Sequence, residues 1–204
     1  VWNYRDAMTP SALPASILVV GAGAIGVEFA SFYRSLGSEV TLVEVADRVL
    51  PNEDHEICAL AQRAFERRGM RVHTGTAVES LRFGDDGVTA TLRGPGGTSE
   101  ARVERVISAV GIEANAEDLG LEGTGVKLDR GHVVVGPWLE TGEPGVYAIG
   151  DLTAPPWLAH KASHEAAICV EKIAGLAHVA PLDTHRIPAC TYAHPQVASI
   201  GLTE

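Results

Sequence analysis

Three glycines, at positions 21, 23 and 26, constrain this chain more than any other feature. They lie in Gly21-Ala22-Gly23-Ala24-Ile25-Gly26. Before them comes Ile17-Leu18-Val19-Val20, an apolar run of the length expected for a buried parallel strand. After them, from Ala24 to Leu36, Ile25, Phe29, Phe32, Tyr33 and Leu36 recur at helical spacing, and Gly37 stands where a C-terminal cap is expected. Glu39-Val40-Thr41-Leu42-Val43-Glu44 then reads as a second strand, so residues 17–44 predict a βαβ unit. In that frame each glycine has its own physical task. The first permits a tight turn, the second lets backbone approach a pyrophosphate, and the third lets the helix pack close to the strand. The helix start adds unpaired N–H groups and the positive end of the helix dipole. A bare glycine pattern of this kind is weak, and a glycine-rich structural turn is the plain alternative. Glu44, an acid at the end of the second strand, favours dinucleotide binding.

The same acid predicts which dinucleotide. A carboxylate there accepts hydrogen bonds from the adenosine ribose hydroxyls, while a 2′-phosphate would meet like charge, so NAD is favoured over NADP. Arg48 would complicate that preference if its loop folded back, which keeps NADP as the alternative, and a solvated strand-end carboxylate is the plain reading of Glu44.

Further along, a second helix is expected from about Glu53 to Arg68, ended by Gly69, followed by a strand at Met70-Arg71-Val72-His73. From Ala77 to Ala109 the texture changes to alternating strands. Gly84-Asp85-Asp86-Gly87 and Gly94-Pro95-Gly96-Gly97 serve as turns, which predicts an inserted antiparallel meander. Val106 to Gly111 reads as the strand returning to the parallel sheet. Gly145-Val146-Tyr147-Ala148-Ile149-Gly150-Asp151 reads as another strand, and Ala159 to Ala174 as a helix. A linker is expected near Pro181 to Pro188, with the first strand of another domain from Cys190 onward.

Composition narrows the class. Of 204 residues 46% are apolar and 21% charged, which fits a soluble globular chain. The net charge of −10, with no Lys/Arg cluster, argues against a nucleic-acid or anionic-membrane surface. No apolar run approaches the roughly 18 residues of a spanning helix. The opening Val1-Trp2-Asn3-Tyr4-Arg5 lacks signal-peptide order, so the expected location is cytoplasmic, or the mitochondrial matrix in a eukaryote. Cys58, Cys169 and Cys190 have no Cys-x-x-Cys spacing and read as free, largely buried thiols. The chain does not begin with Met and stops just after a strand-like alternation, so both ends read as cut.

Gly21-Ala22-Gly23-Ala24-Ile25-Gly26-Val27-Glu28-Phe29-Ala30-Ser31, then Val43-Glu44, then Leu50-Pro51-Asn52-Glu53-Asp54 together resemble the NAD-binding domain of the pyridine nucleotide-disulfide oxidoreductase family. Gly145 to Asp151 resembles that family's second flavin-binding motif. Trp157-Leu158-Ala159-His160-Lys161-Ala162 with His164-Glu165 is similar to the flavin-facing helix of its dihydrolipoamide dehydrogenase branch, and His194 to Glu204 to the opening of that branch's dimer-interface domain. The resemblance spans essentially the whole chain. It implies an α/β fold with a Rossmann-like NAD-binding domain of the FAD/NAD(P)-linked reductase type over residues 1–135, including a lead segment 1–14 and the meander insertion. Part of the FAD-binding domain would follow over 136–185, and the truncated start of the interface domain over 186–204.

The resemblance further implies NAD contacts at Gly21, Gly23, Ala24, Ile25, Gly26, Glu28, Glu44, Val78 and Gly111. It implies FAD contacts at Asp151, holding the ribityl hydroxyls, and at Trp157, Leu158, Ala159 and His160 beside the isoalloxazine. A helix starting near Ala159 would direct its positive end at the flavin N1/O2 edge. Trp157-Leu158 stands where the family often has Met or another apolar residue, and Gly111-Ile112-Glu113-Ala114-Asn115 departs from the Arg-x-Pro-Asn form of the wider family. Glu28 would pair with a lysine near the redox disulfide in a segment outside this sequence; an early-helix carboxylate open to water is its plain reading. His160 and His164, four apart, could present two nitrogens to a metal, but no third ligand is spaced to join them, and no metal site is expected. His185 and His194 read as surface residues.

The implied reaction passes electrons from dihydrolipoamide through a disulfide and FAD to NAD, in a homodimer that meets the lipoyl domain of an acyltransferase in 2-oxo acid complexes. Its redox cysteines and His-Glu base fall outside these residues, so none here is assigned a catalytic role, and the isolated chain is expected to be catalytically incomplete. A sister reductase of the mercuric or glutathione type, a non-catalytic NAD-binding module, and a piece that docks on an acyltransferase core are the alternatives.

Overall fold

The computed structural model describes residues 1–203; Glu204, the last residue of the interface-like motif, lies outside them. The chain divides into two compact units. One comprises residues 1–111 with the segment from 190 onward, the other residues 112–189. These boundaries follow spatial contact and differ from the domain limits at 135 and 185 expected from the motifs.

In the first unit the elements are α1 (Tyr4–Met8), β1 (Ser16–Val20), α2 (Ala24–Leu36), β2 (Glu39–Val43), α3 (His55–Arg67), β3 (Arg71–His73), β4 (Ala77–Gly84), β5 (Gly87–Gly94), β6 (Gly97–Val103) and β7 (Arg105–Ser108). Four strands form a parallel sheet in the order β3-β2-β1-β7, with Ile17 opposite Val40 and Val19 opposite Ile107. Both faces of this sheet are buried, and the two-residue period of the strands sorts their side chains between them. Ile17, Val19, Val40, Leu42 and Ile107 join the helical residues Val27, Tyr33, Cys58 and Phe65 in one core. Leu18, Val43 and Val106 face the other way and join Val88, Ala90, Leu92 and Val103 in a second. The antiparallel meander β4-β5-β6 therefore covers the face that helices do not. Each fully buried Val, Leu or Ile contributes roughly 1.5–3 kcal/mol.

The buried face of α2 is not the one its large apolar residues suggest. Gly26, Val27, Ala30, Ser31 and Tyr33 are buried, whereas Ile25, Phe32 and Leu36 are 40%, 49% and 51% exposed. Small side chains explain the rotation. Gly26 and Ala30 let the helix lie close against the sheet; Phe29, half-buried, packs at the edge of the same core, and Phe32 is left outside. As expected, Gly37 caps the helix in the left-handed region, with φ +106° and its N–H directed at Arg34 O and Tyr33 O. The lead segment adds to the same sheet: Trp2 bridges to Ile107, and Asn3 and Asp6 form a capping box on α1.

The second unit holds β8 (Leu128–Asp129), β9 (His132–Val133) and α4 (Ala159–Ile173). The strand expected over Gly145 to Asp151 is replaced by a short hairpin, in which Thr141 N–H donates to Val146 O and Ala148 N–H to Leu139 O, both at 3.0 Å. Gly150, at φ +73°, then turns the chain into a 3₁₀ turn over Gly150–Leu152, and that turn prevents a longer ladder. Finally β10 (Ala189–Thr191) and β11 (Val197–Ser199) pair, and the segment between them docks on α2. Tyr192 N–H donates to Glu28 Oε1 at 2.7 Å and His194 N–H to Ser31 Oγ at 2.8 Å, while Ala193 and Val197 enter the first core. Among the described residues no helix is long and apolar enough to cross a membrane.

Candidate functional site

The glycine loop leaves the end of β1, where Gly21 N–H donates to Val43 O at 2.8 Å. Gly21 has φ +101°, and a Cβ there would overlap the Ala109 carbonyl; a Cβ on Gly26 would overlap the Gly21 carbonyl. Packing therefore requires the first and third glycines. Gly23 differs, because nothing lies within 4 Å of where its Cβ would be. It is the N-cap of α2 and offers no side-chain cap, so the first N–H groups of the helix open onto that vacant space beside the exposed Ala24 and Ile25. The shape and the donor set both suit a phosphate.

Glu44 lies beneath the loop, 9% exposed. Its Oε2 accepts from Ala22 N–H at 2.6 Å and its Oε1 from Ala46 N–H at 2.8 Å. The acid expected to face a ribose is thus also the tether of the glycine loop. A carboxylate has about four acceptor sites, so both tasks are compatible. Arg48 does not fold back onto Glu44; its Nη1 pairs with Asp47 Oδ1 at 3.0 Å. Thr76 N–H donates to Glu44 O at 2.8 Å, which brings the start of β4 and the half-buried Val78 toward this edge of the sheet. Gly111, exposed at φ +133°, follows β7. Glu28 is half-buried on α2 and held by the Tyr192 N–H, a partner the sequence did not indicate.

In the second unit Asp151 is exposed on the 3₁₀ turn. Trp157 donates from Nε1 to Thr153 O at 3.0 Å and stacks on His132, with ring centroids 4.9 Å apart at 20°. Leu158, half-buried, is the N-cap of α4, again without a side-chain cap. Ala159 and His160 are exposed at the helix start, and His160 Nε2 lies 2.8 Å from Pro188 O. An exposed carboxylate beside an uncapped helix start fits a ligand that carries hydroxyls and an electron-rich edge, as a flavin does.

Lys161 and Glu165 belong to the flavin-facing helix motif, which by itself assigns them no role. They form a buried ion pair, 2% and 4% exposed, with Nζ to Oε1 at 2.8 Å. Opposite charges four residues apart were the available signal, but that spacing ordinarily marks a solvated helix face. No group of three His, Cys, Asp or Glu among the described residues could hold a metal, so His160 and His164 remain two separate side chains. Burial pushes the Cys58 and Cys169 thiols up from their ordinary value, and the Glu140 carboxylate adds to the effect at Cys169. Cys190 is exposed, contrary to the expectation of burial.

The chain is 51% identical to a dihydrolipoyl dehydrogenase of Rhizobium etli and 49% identical to one of Zymomonas mobilis. Each alignment takes in 100% of this chain, which spans 43% and 44% of those relatives' lengths. Among solved structures, LpdA of Mycobacterium tuberculosis matches 98% of the chain at 30% identity with a TM-score of 0.89, the chain covering 43% of it. The HOCl-induced flavoprotein disulfide reductase RclA of Escherichia coli shares the fold at 24% identity, with a TM-score of 0.90 over 100% of this chain and 46% of its own. The pyridine nucleotide-disulphide oxidoreductase model matches residues 1–166, and the chain belongs to that family.

Proposed function

We propose that this chain is the NAD-binding domain and part of the FAD-binding domain of a dihydrolipoyl dehydrogenase. The overall reaction would be dihydrolipoamide + NAD⁺ → lipoamide + NADH + H⁺. The vacant space at Gly23, over the free N–H groups of α2 and with the Glu44 carboxylate beneath, carries this reading. In it, the first turn of α2 holds the NAD pyrophosphate, and Glu44 keeps the loop in its open form while accepting from the adenosine ribose. Asp151 accepts from the ribityl hydroxyls, and the α4 N-terminus faces the pyrimidine edge of the ring. Bound FAD supplies the relay between a dithiol donor and a hydride acceptor. The substrate, the lipoyl-bearing acyltransferase partner and a homodimeric state follow from the same reading, with the domain limits at 135 and 185.

The test is an assay of the gene product containing this sequence. NADH formation dependent on dihydrolipoamide is expected, with NADP⁺ a poor substitute. Turnover of glutathione disulfide or mercuric ion with NADPH, and none with dihydrolipoamide, would replace this reading with a sister reductase.

A further inference from the structure

The Lys161–Glu165 pair has no evident purpose as a stabiliser. Removing two charges from water costs several kcal/mol per ion, and apolar residues of the same volume often serve a fold as well or better. What apolar residues cannot do is hold backbone. Glu165 Oε2 accepts from Gly150 N–H at 2.7 Å. Lys161 Nζ donates to Thr153 Oγ1 and Ala154 O, each at 3.0 Å, and lies 3.4 Å from Gly150 O. Every one of these contacts falls at one end or the other of the 3₁₀ turn that carries Asp151. Thr153, 1% exposed, continues the network: its hydroxyl donates to Gly150 O at 2.8 Å, and its carbonyl receives Trp157 Nε1. A three-residue turn with an exposed centre is soft by itself. Here both of its ends are bonded to the first two turns of α4, the helix whose N-terminus lies beside Asp151 in the flavin reading.

We propose that the buried Lys161–Glu165 pair is the positioning device of this turn, fixing the Asp151 carboxylate relative to the start of α4 and so setting FAD affinity without touching the cofactor. The inference rests on the flavin reading of Asp151 and residues 157–160 given above.

The test uses the gene product containing this sequence. FAD dissociation is measured by flavin fluorescence, the thermal midpoint is measured without added FAD, and the circular dichroism of bound flavin is recorded at saturation. Glu165→Leu alone leaves an unpaired buried ammonium and should lower the midpoint sharply. The double variant Lys161→Met/Glu165→Leu should recover most of that midpoint. It should still bind FAD at least about tenfold more weakly, the scale on which outer-shell partners act, with an altered flavin dichroism. Recovery of both the midpoint and wild-type FAD affinity overturns the proposal and leaves the pair a stability element. If the double variant does not fold, Thr153→Val decides: it keeps the ion pair but removes one of its anchors. Weaker FAD binding at a midpoint near wild type supports positioning, and unchanged binding overturns it. Asp151→Asn separates the two layers, since wild-type FAD affinity in that variant would refute the flavin reading itself and this inference with it.

Discussion

Two glycines three residues apart should respond to the same substitution in opposite ways. In Gly26→Ala the new methyl overlaps the Gly21 carbonyl oxygen and stands 2.8 Å from its carbon, where ordinary contact begins at 3.4 Å. The obstacle is backbone, so no side chain can rotate aside, and α2 must move off β1 or the loop must open. Overpacking against side chains costs typically about 1–3 kcal/mol, and an immovable carbonyl places Gly26→Ala at or above the top of that range. For a chain of this size about 3 kcal/mol lowers the midpoint by roughly 6–12 °C. Gly23→Ala meets nothing within 4 Å, and its backbone, at φ −69° and ψ −176°, suits alanine. Losing glycine at an N-cap costs up to about 1 kcal/mol, while a stiffer unfolded chain returns about 0.4–1 kcal/mol. Its midpoint should therefore stay within about 4 °C of wild type. Its methyl would fill the space assigned to the pyrophosphate, so NADH affinity should fall by about tenfold or more, roughly 1.4 kcal/mol. Thermal melts by circular dichroism and NADH titration by fluorescence measure both quantities. A Gly26→Ala protein melting within about 2 °C of wild type, or a Gly23→Ala protein binding NADH undiminished, would refute this division of labour within the loop.

Glu44→Gln should narrow the preference for NADH over NADPH. It should also cost about 1–3 kcal/mol, because an amide cannot accept from both Ala22 and Ala46 through two oxygens; an unchanged nucleotide preference would remove Glu44 from the site. A thiol reagent at neutral pH should modify Cys190 quickly, and Cys58 and Cys169 only on unfolding; early labelling of Cys58 would contradict its burial. Because burial raises Cys58, Cys169 and Tyr33, the native state holds more protons than the unfolded one above the ordinary thiol range. Stability should thus be level below that range and fall as pH rises through it, and Cys58→Ala should flatten the alkaline slope.

The βαβ core was legible because its signals are local and agree with one another. Ile17 to Val20 is apolar on both sides of the strand, as a sheet covered on both faces demands, and Gly21 and Gly26 fall where sterics allow nothing else. The turns at residues 84–87 and 94–97 delimited the meander for the same reason. The orientation of α2 was not legible in its apolar spacing. That spacing offers two faces, and the choice between Phe32 and Ala30 depends on how closely the sheet approaches, which the sequence does not state. The hairpin at 139–148 was hidden because Val146-Tyr147-Ala148-Ile149 has strand composition, and only the conformation of Gly150 ends the pairing early. At the candidate site, position in the sequence singles out Glu44, but its bond to Ala22 N–H depends on a loop closure that no spacing encodes. Lys161 and Glu165 were the hardest to see, since a charged pair on a helix is ordinarily solvated, and its burial is decided by the fold of residues 150–154.

In the proposed function the glycine loop and Glu44 together form a site for NAD. The most direct measurement is a parallel titration of this chain with NADH and NADPH. Glu44 is buried beneath the loop and Arg48 pairs with Asp47 instead, so in the proposed site the carboxylate would set negative charge against a 2′-phosphate. NADH should therefore bind at least about tenfold tighter, a difference of roughly 1.4 kcal/mol. Equal affinities for the two nucleotides, or no binding of either, would contradict it.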